Sequence, residues 1–298
     1  MIDLHTHTVY SDGSSSVEEL LTRAQALGLT ALSITDHNAV GAYQDPAMEH
    51  WHDLYRGTIL PGIEITCMLE GEIVEVLGYG FELPLMRRQL KGHVLTFREK
   101  QLRESELVIA ALQKAGARFD PARLVFDPDR ESCRKAVLAL LKEDPANRAL
   151  FSSEKGWESS RGFTRLEIYN PASPLYVDES PLYPTAAEAV EMIHASHGIA
   201  LMAHLFLYAH AESFFSRLAV LQPELGLDGM ECRHSAFTPE QAQRLETFCR
   251  EHHLLCSGGS DFHGTRKPDV RLGNEGGLTI PEAFLSSWPR QILARVIP

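Results

Sequence analysis

Residues 1–37 read MIDLHTHTVYSDGSSSVEELLTRAQALGLTALSITDH, and this stretch decides the fold class. Near its start, Ile2 and Leu4 would share one face of a strand, and Asp3, His5 and His7 would share the other. The Ser-x-x-Glu capping box at 16–19 then begins a segment with the apolar period of a helix. The stretch ALSITDH at 31–37 predicts a second strand. This strand–helix–strand unit indicates an α/β fold with a parallel sheet or barrel.

His5 and His7 share one face of the first predicted strand because side chains alternate there. A polar surface strand and a metal site both account for this pattern taken alone. The same residue types recur at or beyond the ends of most later predicted strands, where α/β barrels place their sites. The full set is His5, His7, Asp12, His37, Glu64, Glu75, His204, Asp261 and His263. Imidazoles and carboxylates without thiolates indicate a site for divalent metal ions.

Two of these candidates lie in a predicted hairpin with Glu70 and Gly71 as its turn. A tight turn there pairs residue 66 with residue 75 and makes Glu64 and Glu75 diagonal neighbours on one face. Two like charges at this spacing repel unless water or a cation lies between them. The hairpin alone leaves two alternatives open, a solvated face and a cation site.

The composition of the chain changes at residues 85–185. The first part of this range is a helix of mixed charge, and the rest is rich in charged residues, Ser and Pro. We expect a mainly helical insertion that ends in an irregular loop. The alternation of strands and helices then resumes, so residues 1–84 and 186–298 are expected to form one α/β barrel domain.

Net charge, hydropathy and cysteine spacing each argue against particular classes of protein. The 298 residues carry a net charge of −12, which disfavours general binding of long nucleic acid. No apolar run is long enough to span a membrane, and the first residues lack the pattern of a signal peptide, so a cytoplasmic protein is expected. The five cysteines include no CxxC pair, which argues against both a disulfide framework and a zinc ribbon.

Five stretches occur in an order that identifies a family resemblance: HTHTVYSDG, SITDHN, GIEIT, LMAHL and GGSDFHG. They resemble the ordered motifs of the PHP (polymerase and histidinol phosphatase) family of metal-dependent phosphoesterases, over residues 1 to about 80 and about 185 to 275. The resemblance implies a distorted β/α barrel, usually seven-stranded. It also implies two or three divalent ions, with Mn, Fe or Zn as the expected metals.

The resemblance also implies a ligand set, in which His5, His7, Glu64 and Asp261 hold one ion. Glu64 would bridge to a second ion, held also by Glu75 and His204, and the third would be held by Asp12, His37 and His263. Small phosphoesterases of the family usually have His in place of Glu75, and they usually read AHP where this chain reads AHL. The substitution at position 75 lowers the charge of the site, and weaker attraction of phosphate is expected.

The function expected from this pattern is metal-dependent hydrolysis of a small phosphate ester, with a metal-activated hydroxide as nucleophile. A nucleotide or the end of a short oligonucleotide is the preferred substrate. The alternatives are a histidinol-phosphatase-like phosphomonoesterase and a metal-binding module with weak catalysis. Expected substrate contacts are Arg134, Lys135, Arg161 and His234, and Asp36 is expected to orient His37.

Overall fold

A computed structural model describes residues 1–273, 275 and 277–297. The chain divides into two compact units, one made of Met1–Val94 and Pro184–Pro298 and the other of Leu95–Tyr183. The predicted insertion starts ten residues before the second unit does. The difference arises because Met86 and Leu90, in the helix Leu83–His93, pack into the core of the first unit.

Seven strands form a single sheet in the described part of the first unit. They are β1 (Ile2–Asp3), β2 (Ala31–Ile34), β3 (Thr58–Leu69), β4 (Glu72–Tyr79), β5 (Ile199–Met202), β6 (Gly229–His234) and β7 (Leu255–Gly259). Neighbouring strands are parallel except that β4 runs antiparallel to β3 and β5. Backbone hydrogen bonds from Leu4 to Gly258 and from His7 to Phe262 link the two ends of the sheet. The predicted seven-stranded, barrel-like sheet is therefore confirmed.

Helices connect these strands and build the second unit. Those of the first unit are α1 (Val17–Ala26), α2 (Trp51–Leu54), α3 (Leu83–His93), α8 (Ala186–Ala195), α9 (Ala211–Ser216), α10 (Leu218–Leu225), α11 (Pro239–Glu251), α12 (Ala283–Ser286) and α13 (Arg290–Leu293). Those of the second unit are α4 (Phe97–Lys114), α5 (Cys133–Leu141), α6 (Glu154–Glu158) and α7 (Ser160–Gly162). Among the described residues, no helix is long and apolar enough to cross a membrane.

The hairpin of β3 and β4 has the predicted register. Thr66 pairs with Glu75, and the turn residues Glu70 and Gly71 have φ angles of 51° and 85°. Positive φ at both positions is what a two-residue type I′ turn requires, and glycine adopts it without a steric penalty. The register places the side chains of Glu64 and Glu75 on the same face of the hairpin.

Two apolar clusters hold the first unit together. The larger one packs helices such as α1 and α8 against the sheet, with Leu20, Ile34 and Ile193 fully buried. The smaller one joins Ile2 of β1 to Trp288 near the C-terminal end of the chain. Neither cluster includes the polar residues that follow the strand ends, and these residues lie together at one edge of the sheet.

The second unit has its own core. Its helices α4 and α5 contribute Val108, Leu112 and Val137, which pack with the buried ring of Phe163. The helices of this unit thus bury their apolar residues against one another, in the part of the chain for which helices were predicted.

Candidate metal centre

The nine predicted ligands meet at one edge of the first unit. Parallel strands end at this edge, and the antiparallel β4 begins there, which explains how Glu75 joins residues that follow other strands. Contacts of 3.8 Å or less between ring nitrogens and carboxylate oxygens connect all nine: His5, His7, Asp12, His37, Glu64, Glu75, His204, Asp261 and His263. The geometry thus brings together the entire predicted set.

Glu64 lies at the centre of this group and is only 1% exposed. Its Oε2 atom lies 3.1–3.3 Å from ring nitrogens of His5, His7 and His37. Its Oε1 atom lies 2.9 Å from Nε2 of His204. A carboxylate that presents both oxygens to different imidazoles is well placed to bridge two ions.

The most exposed ligand-type side chain is that of Asp12, which is 60% accessible. Its Oδ1 atom lies 3.1 Å from Nε2 of His263 and 3.7 Å from Nε2 of His37. Ligand atoms of His7, Asp12, His37 and His263 all lie within 4.8 Å of one another. His7 therefore adjoins both this group and the group around Glu64.

Glu75 spans the space between two imidazoles. Its Oε1 atom lies 3.3 Å from Nδ1 of His37, and its Oε2 atom lies 3.2 Å from Nε2 of His204. The carboxylate thus points into the group at the position where the family usually has an imidazole. Its oxygens are donors of the type that harder divalent ions prefer.

Several buried nitrogen and oxygen atoms of this group have no hydrogen-bond partner in the described part of the chain, which bears on whether the group could hold metal ions. Glu64 Oε2, His37 Nδ1 and His263 Nε2 are buried and make no hydrogen bond within the described residues. Nε2 of His5 and Nε2 of His7 face each other at 3.1 Å. Buried polar atoms normally have partners, so a set of convergent, unpaired donor atoms fits bound cations.

The electrostatics of the centre point the same way. Burial raises the pKa of Glu64, but the charges of His5 and His37 outweigh it and hold the pKa well below its ordinary value. Burial lowers the pKa of His204, but hydrogen bonds to Glu64 and Glu75 raise it to about 10. Protons on His5, His7 and His204 therefore balance part of the carboxylate charge when no metal ion is bound, and metal ions compete with those protons.

A buried glutamate that the sequence analysis did not select supports the ligands. Glu231 of β6 lies 2.8 Å from Nδ1 of His5, and it also accepts a hydrogen bond from the backbone N–H of His204. This contact fixes the ring of His5 with Nε2 turned toward the centre. The sequence feature that could have indicated it is a glutamate between two apolar-type residues, Met230 and Cys232, in a buried strand.

Two further features shape the centre. Asp36 accepts hydrogen bonds from Thr8 and Ser11, so it fixes the loop that carries Asp12, and the expectation that it orients His37 is wrong. Gly259 of β7 passes so close to His5 that a Cβ atom there would lie 2.1 Å from the Cβ of His5. Only glycine allows the first and last strands to approach this closely.

His234 is the one predicted substrate contact that lies at the centre. Its Nε2 atom is buried, lies 3.4 Å from Oδ2 of Asp261 and makes no hydrogen bond within the described chain. Its Nδ1 atom accepts a hydrogen bond from the backbone N–H of Ala236. A neutral ring with Nδ1 as acceptor carries its proton on Nε2, facing the centre. Lys267 also forms an ion pair with Asp261.

The other predicted substrate contacts lie in the second unit. Lys135 and Arg161 are exposed there. Arg134 is mostly buried and forms ion pairs with Glu104 and, at 2.6 Å, with Glu179. A substrate-binding role for these three basic residues stays a prediction.

Comparison with known proteins places this geometry in context. The PHP domain family matches residues 3–126. A 5'-3' exoribonuclease of Haemophilus influenzae is 30% identical over 268 residues, which cover 88% of this chain and 89% of that protein. A 3',5'-nucleoside bisphosphate phosphatase of Chromobacterium violaceum is 25% identical over 301 residues, covering 99% of this chain and 98% of that protein.

A solved structure shares the fold. It is that of an amidohydrolase from Chromobacterium violaceum, and it superposes with a TM-score of 0.65 at 24% sequence identity. The match covers 99% of this chain and 96% of the other. The similarity supports the barrel architecture of the chain.

Proposed function

This chain belongs to the PHP family of metal-dependent phosphoesterases, and from that premise we propose that it hydrolyses phosphate esters at the 5′ end of short oligonucleotides and nucleotides. The reaction class, hydrolysis of a phosphoric ester, follows from the family. The observation that carries the proposal is the convergence of nine ligand-type side chains with unpaired atoms facing one another.

The proposed ligand set is the nine residues at the edge of the barrel, with Glu64 shared between ions. Bound divalent ions would lower the pKa of a water molecule and stabilise the charge that develops on the phosphoryl oxygens. Glu231 holds the ring of His5 in place, and Asp36 holds the loop of Asp12. The chain's own side chains thus supply a rigid, correctly oriented set of donors before any ion binds.

His234 is proposed to donate a hydrogen bond from Nε2 to the substrate. Its tautomer is set by the backbone N–H of Ala236, so the ring presents a donor rather than a lone pair to the centre. A donor at this point would stabilise negative charge on a phosphoryl or leaving oxygen. This role explains why a buried ring nitrogen has no partner in the described chain.

The substrate class rests on two supports. Curated relatives that align with most of this chain act, by their names, on RNA from its 5′ end or on nucleoside bisphosphates. The net charge of −12 disfavours a long polyanion, whereas a short one can be attracted locally by metal ions. We also propose that the second unit, residues 95–183, is a domain inserted into the barrel.

The test is a hydrolysis assay with protein loaded with Mn(II). Substrates are a 5′-phosphorylated short RNA, a 3',5'-nucleoside bisphosphate and histidinol phosphate. We expect release of nucleoside monophosphates from the RNA, or of phosphate from the bisphosphate. Asp261→Asn should abolish hydrolysis, whereas Glu251→Gln, at an exposed position at the end of α11, should not change it.

Two outcomes contradict the proposal. Preferred hydrolysis of histidinol phosphate would show that the enzyme is a histidinol-phosphatase-like phosphomonoesterase. Absence of hydrolysis across the panel, with metal content at its full value, would instead support a metal-binding module with weak catalysis.

A further inference from the structure

Three of the five cysteines meet behind the sheet, apart from the metal centre. They are Cys232 of β6, Cys249 of α11 and Cys256 of β7. Their sulfur atoms all lie within 4.8 Å of one another, and those of Cys232 and Cys249 are 3.6 Å apart. All three are free thiols. No sequence spacing suggested this cluster, because its members come from three different elements.

The cluster faces away from the metal centre. Glu231 points into the centre, whereas Cys232, at an irregularity in the pairing of β6 with β7, contacts Cys249 of α11 and packs in the larger apolar core. Cys232 and Cys249 are fully buried, whereas Cys256 is partly accessible. Cys256 is therefore the most accessible member of the cluster.

The contacts of the cluster are between its own sulfur atoms and to the strand backbone. The Sγ atom of Cys232 lies 3.6 Å from that of Cys249 and 3.5 Å from the backbone oxygen of Met230. Within the described residues, no hydrogen bond joins the three sulfur atoms to a basic side chain. A thiolate in such a place is costly unless a cation accompanies it.

Donor chemistry determines which cation fits. Three sulfur donors without a carboxylate or imidazole select soft metal ions, whereas the barrel edge offers only nitrogen and oxygen donors. With metal–sulfur bonds of about 2.3 Å, three sulfurs around one ion lie about 4 Å apart, close to the spacing seen here. Small rotations of the side chains would complete the arrangement.

We propose that Cys232, Cys249 and Cys256 form a second metal site, specific for a thiophilic ion of the class of Cu(I) and Cd(II). The three thiolates hold the ion in a trigonal arrangement, and each thiol releases its proton as the ion binds. The site is independent of the proposed phosphoesterase function and takes a different class of metal from the barrel edge.

The test is a titration of the reduced, Mn(II)-loaded protein with Cd(II), followed by ultraviolet absorption. We expect sulfur-to-cadmium charge-transfer absorption that saturates at one equivalent. Cys256→Ser should remove this absorption, and because Cys256 is partly accessible, the variant should keep its fold, which circular dichroism checks. Cys249→Ala provides a second variant with the same expected loss.

Matched controls are Cys67→Ala and Cys133→Ala, which change buried thiols outside the cluster. Both should keep the full absorption. The proposal is overturned if the wild type gives no charge-transfer absorption. It is equally overturned if the absorption persists in folded Cys256→Ser or is lost in a folded control variant.

Discussion

Glu231 Oε1 lies 2.8 Å from His5 Nδ1, and both side chains are completely buried. The contact joins β6 to the segment that follows β1, and it fixes the His5 ring with its other nitrogen toward the metal centre. Carboxylate–imidazole pairs of this kind orient metal ligands and raise their basicity. We therefore expect Glu231 to influence metal binding through the orientation of His5.

Glu231→Gln should weaken Mn(II) binding about 10–100-fold, because the amide orients the ring of His5 less strongly. A competition titration against a chelator measures the affinity. Glu251→Gln, which lies on the surface at the end of α11, is the control and should bind as the wild type does. Equal affinities for the two variants would mean that the His5 contact has no influence on the metal.

Glu75 should act as a working metal ligand. Because it contacts both His37 and His204, the wild type should contain two or three metal equivalents, and Glu75→Ala should contain fewer. Glu75→His should keep the metal and bind phosphate more tightly, since the site gains positive charge. Elemental analysis gives the stoichiometry. A wild type with one equivalent or fewer, rising in Glu75→His, would show that the carboxylate impairs the site.

The metal-free protein should lose stability at high pH. Burial lowers the pKa of His7, but the adjacent carboxylates of Asp261 and Glu64 raise it to about 9, and the pKa of His204 is raised to about 10. The ordinary value is about 6.5, so the stabilisation is complete below about pH 6.5 and disappears as pH rises through about 9–10.

Thermal unfolding in chelator across this pH range measures the effect. Saturating Mn(II) should flatten the decline, because the ions bind the deprotonated imidazoles. A melting temperature that does not fall between about pH 6.5 and 10 in chelator would contradict the charge pairing described here.

His234→Ala should lower kcat by about 100-fold or more, as expected for loss of a positioned donor, and should leave the metal content unchanged. His252→Ala, at an exposed position after α11, is the matched control. Steady-state kinetics with elemental analysis separates the roles. Loss of a metal equivalent in His234→Ala would identify this residue as a ligand instead of a donor.

Local patterns of residues were enough to predict the barrel class and the register of the hairpin. Helix caps and tight turns depend on interactions between residues a few positions apart. The capping box at Ser16 and the turn at Glu70 and Gly71 could therefore be predicted from the sequence. The ordered motifs also pointed to nine ligand-type residues that the fold brings together, because each lies in or beside a strand whose end is predictable, but they did not point to Glu231.

The distant residues that support and adjoin that set became evident from tertiary contacts alone. Glu231 meets His5 across 226 positions of the chain, and Cys232, Cys249 and Cys256 meet because β6, α11 and β7 pack together. Asp36 bonds to the loop of Asp12 rather than to its own neighbour His37. Contacts between elements depend on how the whole sheet closes, which no local pattern of residues encodes.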